Sequence, residues 1–287
     1  MSRTNLASRL AVAFLLSLVV ASPSSAEEHR TERGISYREH PADDAQRERC
    51  LLDIYHPVGG GGFTTVIWFH GGGLTKGDRQ LPKGLCNQGI AVVGAGYRLA
   101  SEAKAPASID DAAAAVAWTV KNIHRYGGSP HRIVVSGASA GGYLAAMVGL
   151  DKRWLAAYGV DANSLMAIVP YSGQCITHFA YRAERGIPET QPVVDELAPL
   201  YHVRRDAPPI LLITGDRTKE LYGRYEENAY MWRMLKVVGH KNVTLKEMKG
   251  EDHGSMVVPS HPLVLEFVRE LEAKPAAHDR PQKELAK

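Results

Sequence analysis

The residues Gly137-Ala138-Ser139-Ala140-Gly141 read G-x-S-x-G, a serine fenced by small residues. His131 to Ser136, just before it, is a short β-branched strand pattern; Gly142 to Val148, just after it, is a small-residue helix pattern. Strand, sharp turn and helix together hold a serine hydroxyl exposed at a turn apex, where it can act as a nucleophile. The helix N-terminus beneath it carries partial positive charge, which suits an anionic intermediate. Such a hydroxyl needs a base with an orienting acid, and donors for the oxyanion. His253, in Gly250-Glu251-Asp252-His253-Gly254-Ser255, is the candidate base. It follows the last expected strand and precedes the last expected helix. His178 and His202 lack that placement. His70-Gly71-Gly72-Gly73 follows a buried strand pattern, and its glycines leave backbone N–H groups open to a substrate oxygen. Gly72, Gly73 and Ala140 are the expected oxyanion donors, with His70 bracing the loop.

These residues must be carried by a scaffold, and the chain supplies one. Strand patterns are expected at Ile35 to Glu39 and Arg49 to His56, joined as a hairpin by a charged turn. Further strands fall at Thr64 to Phe69, Ile90 to Ala95, His131 to Ser136, Leu165 to Pro170, Ile210 to Thr214 and Val243 to Met248. Helices are expected at Leu81 to Gln88, Ser108 to Arg125, after the serine turn, at Arg224 to Val238 and at Pro262 to Leu271. Strands alternating with helices imply an α/β fold with a mostly parallel central sheet covered on both faces. Residues 172–209 break the periodicity and read as a small lid insertion. Phe179 and Tyr181 within it either line the cleft or pack the lid onto the sheet.

The chain has 287 residues and a formal net charge of +3. Residues 1–26 read as a secretory signal peptide, with Arg3 and Arg9, an apolar run from Leu10 to Ala21, and small residues before a cut after Ala26. A periplasmic or secreted protein without a membrane anchor after cleavage is expected. Residues 27–272 are the expected catalytic domain and 273–287 a charged, disordered tail. Removing Arg3 and Arg9 with the leader leaves 32 basic against 31 acidic residues, which gives no footprint for nucleic acid. Cys50, Cys86 and Cys175 fit no zinc spacing, and an oxidising compartment permits one disulfide among them. No pair among the twelve histidines stands at helical i, i+4 spacing. No metal or cofactor is expected.

With the strand ending in His70-Gly71-Gly72-Gly73, then Ala95-Gly96-Tyr97-Arg98-Leu99, then Pro106 with Asp110 and Asp111, then Gly137 to Gly142, the chain resembles the α/β-hydrolase esterases. It is most similar to their hormone-sensitive-lipase-like and feruloyl- or acetyl-xylan-esterase-like branches. Ala207 to Gly215 looks like their strand before the acid. The resemblance runs from about Arg49 to Leu271. It implies an α/β-hydrolase fold, Ser–acid–His order and cofactor-free hydrolysis of carboxylic esters, either short-acyl or carbohydrate-linked. Two positions depart from the pattern. Leu74 stands where an aromatic residue often follows the glycine run. Thr218 stands three residues after Gly215, where the acid is usually Asp, and threonine cannot carry the charge that stabilises an imidazolium. Asp216 and Glu220 are the neighbours able to substitute, and the longer reach of Glu220 favours it. A peptidase or aryl-formamide amidohydrolase would use the same machinery on an amide. Thr218 also motivates a non-catalytic, hydrolase-fold binding protein.

Overall fold

The computed structural model describes residues 28–273. The expected leader, residues 1–26, and the expected tail beyond residue 273 lie outside the described residues. Eight strands form one sheet: β1 (His29–Ser36), β2 (Leu51–Pro57), β3 (Phe63–Phe69), β4 (Ala91–Ala95), β5 (Gly128–Ala138), β6 (Ala167–Tyr171), β7 (Ile210–Gly215) and β8 (Val243–Met248). Their order is β1-β2-β4-β3-β5-β6-β7-β8. Strand β2 runs antiparallel to both neighbours, and every other pair is parallel. The carboxyl ends of β3, β5, β6, β7 and β8 therefore share one edge.

Among the described residues seven helices accompany the sheet: α1 (Asp44–Arg49), α2 (Ala107–Asn122), α3 (Ala140–Leu150), α4 (Lys152–Ala156), α5 (Phe179–Glu184), α6 (Arg224–Val237) and α7 (Val257–Glu272). Alternate side chains of each central strand point to opposite faces. Ile67, Phe69, Ile133 and Val135 pack with α2 and α3, and Ile168, Ile210 and Leu212 with α3 and α6. Val66, Trp68, Val134, Val169, Leu211 and Ile213 pack with Val264, Leu265 and Val268 of α7. Both faces are thus apolar and covered, so the strands read as continuous apolar runs.

Several local expectations need correction. The charged turn before β2 is helix α1: the Asp43 carboxylate accepts from Gln46 N (2.8 Å) while Gln46 Oε1 accepts from Ala42 N (2.9 Å). That reciprocal cap organises the turn where a hairpin loop is expected. The expected helix over Leu81 to Gln88 is only a 3-10 turn, Lys83–Leu85, with Leu85 alone driven into the core. Helix α7 starts at Val257, before Pro262, which lies inside it. The expected disulfide is absent, because Cys50, Cys86 and Cys175 are all free and pack in three different apolar clusters. Burial pushes the Cys50 thiol up to about 12, helped by the nearby Asp111 charge, and burial also raises Cys175. Titration in denaturant without reductant should therefore release three thiols per chain, and in native protein only the partly exposed Cys86 should react. A single thiol in denaturant would contradict this arrangement.

Candidate active site

Crowding of backbones builds the turn at Ser139. A Cβ on Gly141 would lie 2.0 Å from the Phe69 carbonyl oxygen of β3, and one on Gly137 2.6 Å from Gly141 C. Only glycine lets α3 start this close to β3 and β5. Ser139 itself has φ 54 and ψ −113, a sparsely populated positive-φ conformation that costs about 1–3 kcal/mol in a residue with a Cβ. Its N–H donates to Tyr171 O at 2.8 Å, tying the apex to β6. The side chain is thrust away from the sheet, to the edge where β7 and β8 also end.

His253 meets it there, on the loop between β8 and α7. His253 Nε2 lies 2.9 Å from Ser139 Oγ, and His253 Nδ1 lies 2.5 Å from Glu220 Oε1. A carboxylate only accepts, so Nδ1 carries the proton and Nε2 is free to accept from the serine hydroxyl. The His253 side chain is 18% exposed and that of Glu220 only 1%. Glu220 sits five residues past the strand end, but its long side chain folds back over Gly215. Oε2 accepts from Gly215 N (2.9 Å) and Ser172 Oγ (2.5 Å), and Oε1 also accepts from Leu221 N (2.9 Å). Burial by itself would push this carboxyl up. Hydrogen bonds from His253, Ser172 and Leu221 outweigh burial and hold it down at about 2. Glu220 is therefore a buried anion with every lone pair engaged.

Asp216, the other candidate acid, bonds to its own loop and to Gly250, whereas His253 bonds to Glu220. Its Oδ1 accepts from Thr218 N (2.9 Å) and Thr218 Oγ1 (2.6 Å), and its Oδ2 from Gly250 N (2.8 Å). The Thr218 hydroxyl, then the Gly250 and Thr218 N–H groups, hold its carboxyl well below the usual range. Asp216 N also donates to Glu251 O (2.7 Å), and Lys219 Nζ to Gly250 O (2.7 Å). Asp216 and Thr218 thus fold the acid loop and pin it to the loop bearing His253. This turn brings the carboxylate of Glu220, two residues beyond Thr218, up to His253.

The glycine run passes directly over the serine, where a Cβ on Gly71 would lie 3.5 Å from Ser139 Cβ. Gly72 has φ 111 and its carbonyl accepts from Thr75 N and Lys76 N (3.1 Å each); a Cβ there would lie 2.1 Å from Lys76 O. Among the described residues the N–H groups of Gly72, Gly73 and Ala140 have no hydrogen-bond acceptor. His70 braces this loop: its Nδ1 donates to Gly71 O (2.7 Å) and its ring stacks on Tyr97 at 4.3 Å. Burial lowers its pKa, keeping it neutral. Tyr97 OH donates to His70 O (2.8 Å). Next in the chain, Arg98 grips the fully buried Asp111 of α2 through Nε (2.7 Å) and Nη2 (2.8 Å). The Gly96–Leu99 segment is thereby a strut between α2 and the glycine loop.

The two aromatic candidates of the insertion part ways. Tyr181 is fully buried in the core, whereas Phe179 leans on the glycine loop, its Cζ 2.8 Å from where a Gly73 Cβ would stand. Phe179 also walls a cavity of about 400 Å³ with Gln174, Ile176, Arg182, Tyr222 and Glu227. Buried His178 caps α5, its Nδ1 accepting from Ala180 N, and His202 lies 2.8 Å from Glu196 O; neither approaches Ser139 as a base. Among the described residues no group of three His, Cys, Asp or Glu side chains converges as a metal site would require. Sequence reasoning missed Ser172. Its only signal is a Ser-Gly step closing a strand.

Comparison with known proteins agrees with this geometry. Residues 52–168 match the BD-FAE family model. The chain is 30% identical over 205 residues to Esterase LipC of Mycobacterium tuberculosis, covering 65% of this chain and 50% of that one. It is 41% identical over 100 residues to Carboxylic ester hydrolase LipN of the same organism, covering 33% of this chain and 27% of that one. The chain thus spans half or less of the length of these relatives. Among solved structures, a truncated carbohydrate esterase from gut microbiota superposes with TM-score 0.70 at 19% identity, over 88% of this chain and 99% of that one. An esterase of Pyrobaculum calidifontis superposes with TM-score 0.64 at 22% identity, over 86% of each chain. Taken with the strand order and the sharp turn at Ser139, the likeness to these solved esterases shows the α/β-hydrolase fold.

Proposed function

We infer that this protein is a serine hydrolase of carboxylic esters, acting through an acyl-enzyme. The observation that carries the reading is the unbroken line Glu220–His253–Ser139, with bonds of 2.5 and 2.9 Å. His253 Nε2 takes the hydroxyl proton as Ser139 Oγ attacks the ester carbonyl. The buried Glu220 carboxylate stabilises the imidazolium that forms and keeps its orientation. The carbonyl oxygen, now anionic, is received by the N–H groups of Ala140 and of Gly72 and Gly73; one such donor is worth about 10²–10³ in kcat. The imidazolium returns its proton to the leaving alcohol. Water then enters, His253 again removes a proton, and the acid is released with Ser139 restored. Thr218 no longer argues for a silent binding protein, because Glu220 supplies the charge it lacks.

Phe179 bears on the glycine loop and limits room beside the acyl carbon, which favours small acyl groups, on a small molecule or a polysaccharide. The leader read in residues 1–26 supports action in the periplasm or outside the cell.

Ser139→Ala should abolish turnover of p-nitrophenyl acetate, and Glu220→Gln should lower kcat on the order of 10⁴-fold. Asp216→Asn should cost far less, and equal losses for Asp216→Asn and Glu220→Gln would overturn the choice of acid. Phe179→Ala should shift the preferred p-nitrophenyl ester to longer acyl chains; an unchanged profile would remove Phe179 from the acyl pocket. A pH dependence of stability also follows. The folded carboxyl of Glu220, at about 2, lies below its ordinary value of 4.5. Its contribution is complete above about pH 4.5 and is lost as pH falls through about 2. The stability gap between wild type and Glu220→Gln in urea melts should therefore narrow across that window, and a constant gap would contradict the buried anion.

A further inference from the structure

Ser172 is the first residue after β6, the strand lying between the one that ends just before Ser139 and the one that leads to Glu220. It is 1% exposed and has φ 46, a left-handed conformation unfavourable for a residue with a Cβ. Such a conformation persists only where the surroundings over-determine it, and here they do. Ser172 N donates to Ile213 O at 2.7 Å, and Ser172 O accepts from Arg224 Nη1 at 2.6 Å. The next carbonyl, Gly173 O, accepts from Asn228 Nδ2 at 2.9 Å. Arg224 and Asn228 are one turn apart on α6 and both are buried. Among the described residues Arg224 forms no ion pair, so its guanidinium is spent on a backbone carbonyl. From the other side, a Cβ on Gly173 would lie 2.6 Å from Gly142 C of α3. The Ser172–Gly173 step is thus clamped between α3 and α6, and its hydroxyl has one bond, to Glu220 Oε2 at 2.5 Å.

We propose that Ser172 is a positioning residue of the ester-hydrolysis machinery: it holds the Glu220 carboxylate in the rotation that aims Oε1 at His253 Nδ1. This rests on the serine-hydrolase reading above. The need for it comes from the displaced acid. A glutamate reaching back from position 220 has one more rotatable bond than an aspartate at 218 would have. Leu221 N holds Oε1, and Gly215 N holds Oε2 from the β7 side. Without a donor from β6 the carboxylate could roll away from the imidazole, and the Ser172 hydroxyl is that donor. The same bond commits the hydroxyl, so Ser172 is no rival nucleophile. The strain at Ser172 and the charge of Arg224 are then both used to hold one oxygen in place.

The test uses the full chain as Ser172→Ala, Ser172→Gly, Glu220→Gln and the double variant Ser172→Ala/Glu220→Gln, with p-nitrophenyl acetate as substrate. Glycine accepts φ 46 without strain, so the pair of Ser172 variants separates the hydroxyl from the backbone, and thermal melts establish that each is folded. A hydrogen bond to a charged group is worth about 1.5–3 kcal/mol, or roughly tenfold to a hundredfold. Both Ser172 variants should lose that much in kcat with KM little changed. In the Glu220→Gln background Ser172→Ala should cost nothing more, since the carboxylate it orients is gone. Wild-type kcat in a folded Ser172→Gly, or losses that multiply in the double variant, would overturn the proposal while leaving the triad intact. Wild-type turnover in Glu220→Gln would instead overturn the acid assignment, and the role of Ser172 with it.

Discussion

The candidate site depends on one steric fact: α3 begins almost in contact with the end of β3. A side chain at Gly141 would stand 2.0 Å from the Phe69 carbonyl oxygen, well inside any permitted contact. The two glycines of the turn make that approach possible, and the approach forces Ser139 into its strained positive-φ conformation. Because β3 and β5 are paired from Thr65 to Phe69, the glycine run after β3 is carried over the same serine. The proposed nucleophile and the proposed oxyanion donors are therefore placed by a single packing contact between neighbouring elements. The strain at Ser139 is held by the sheet, through its N–H on Tyr171 and the buried α3 around it.

The second constraint is electrostatic. A carboxylate as buried as Glu220 is costly unless its oxygens are hydrogen-bonded. Here the donors come from β6, from the end of β7, from its own loop and from the β8 loop through His253. Satisfying the anion thus joins three chain segments that meet nowhere else in sequence. Asp216 adds a second tie between two of them, on the exposed side. The site is stable as an assembled unit because each loop end is needed to complete another.

Much of this was legible in the sequence, and the reasons differ by residue. Ser139 could be found because the glycines, the β-branched strand and the small-residue helix all follow from the same crowding. His253 could be found because strand order puts the β8 loop on the serine's edge. The choice between Glu220 and Asp216 stayed open because it turns on the path of a five-residue loop. That path is set by Thr218 and Gly250 bonding to Asp216, a contact across 34 residues that no local pattern reveals. Ser172 was invisible for the same reason: its importance lies in which strands flank β6. Helix α1 carries a capping signal in Asp43 and Gln46, yet a charged run between two strand patterns reads equally as a hairpin turn. The disulfide expectation failed because compartment and cysteine count say nothing about distance, and the three thiols sit in separate clusters.

The central claim is that Ser139, activated by His253, forms a covalent bond to the substrate's acyl group. Peptide mapping by mass spectrometry after treatment of the folded protein with a fluorophosphonate tests it most directly. A single adduct on the peptide containing Gly137 to Gly142, absent in Ser139→Ala and slowed in Glu220→Gln, is the expected result. An unlabelled folded protein, or an adduct on any other serine, would contradict it.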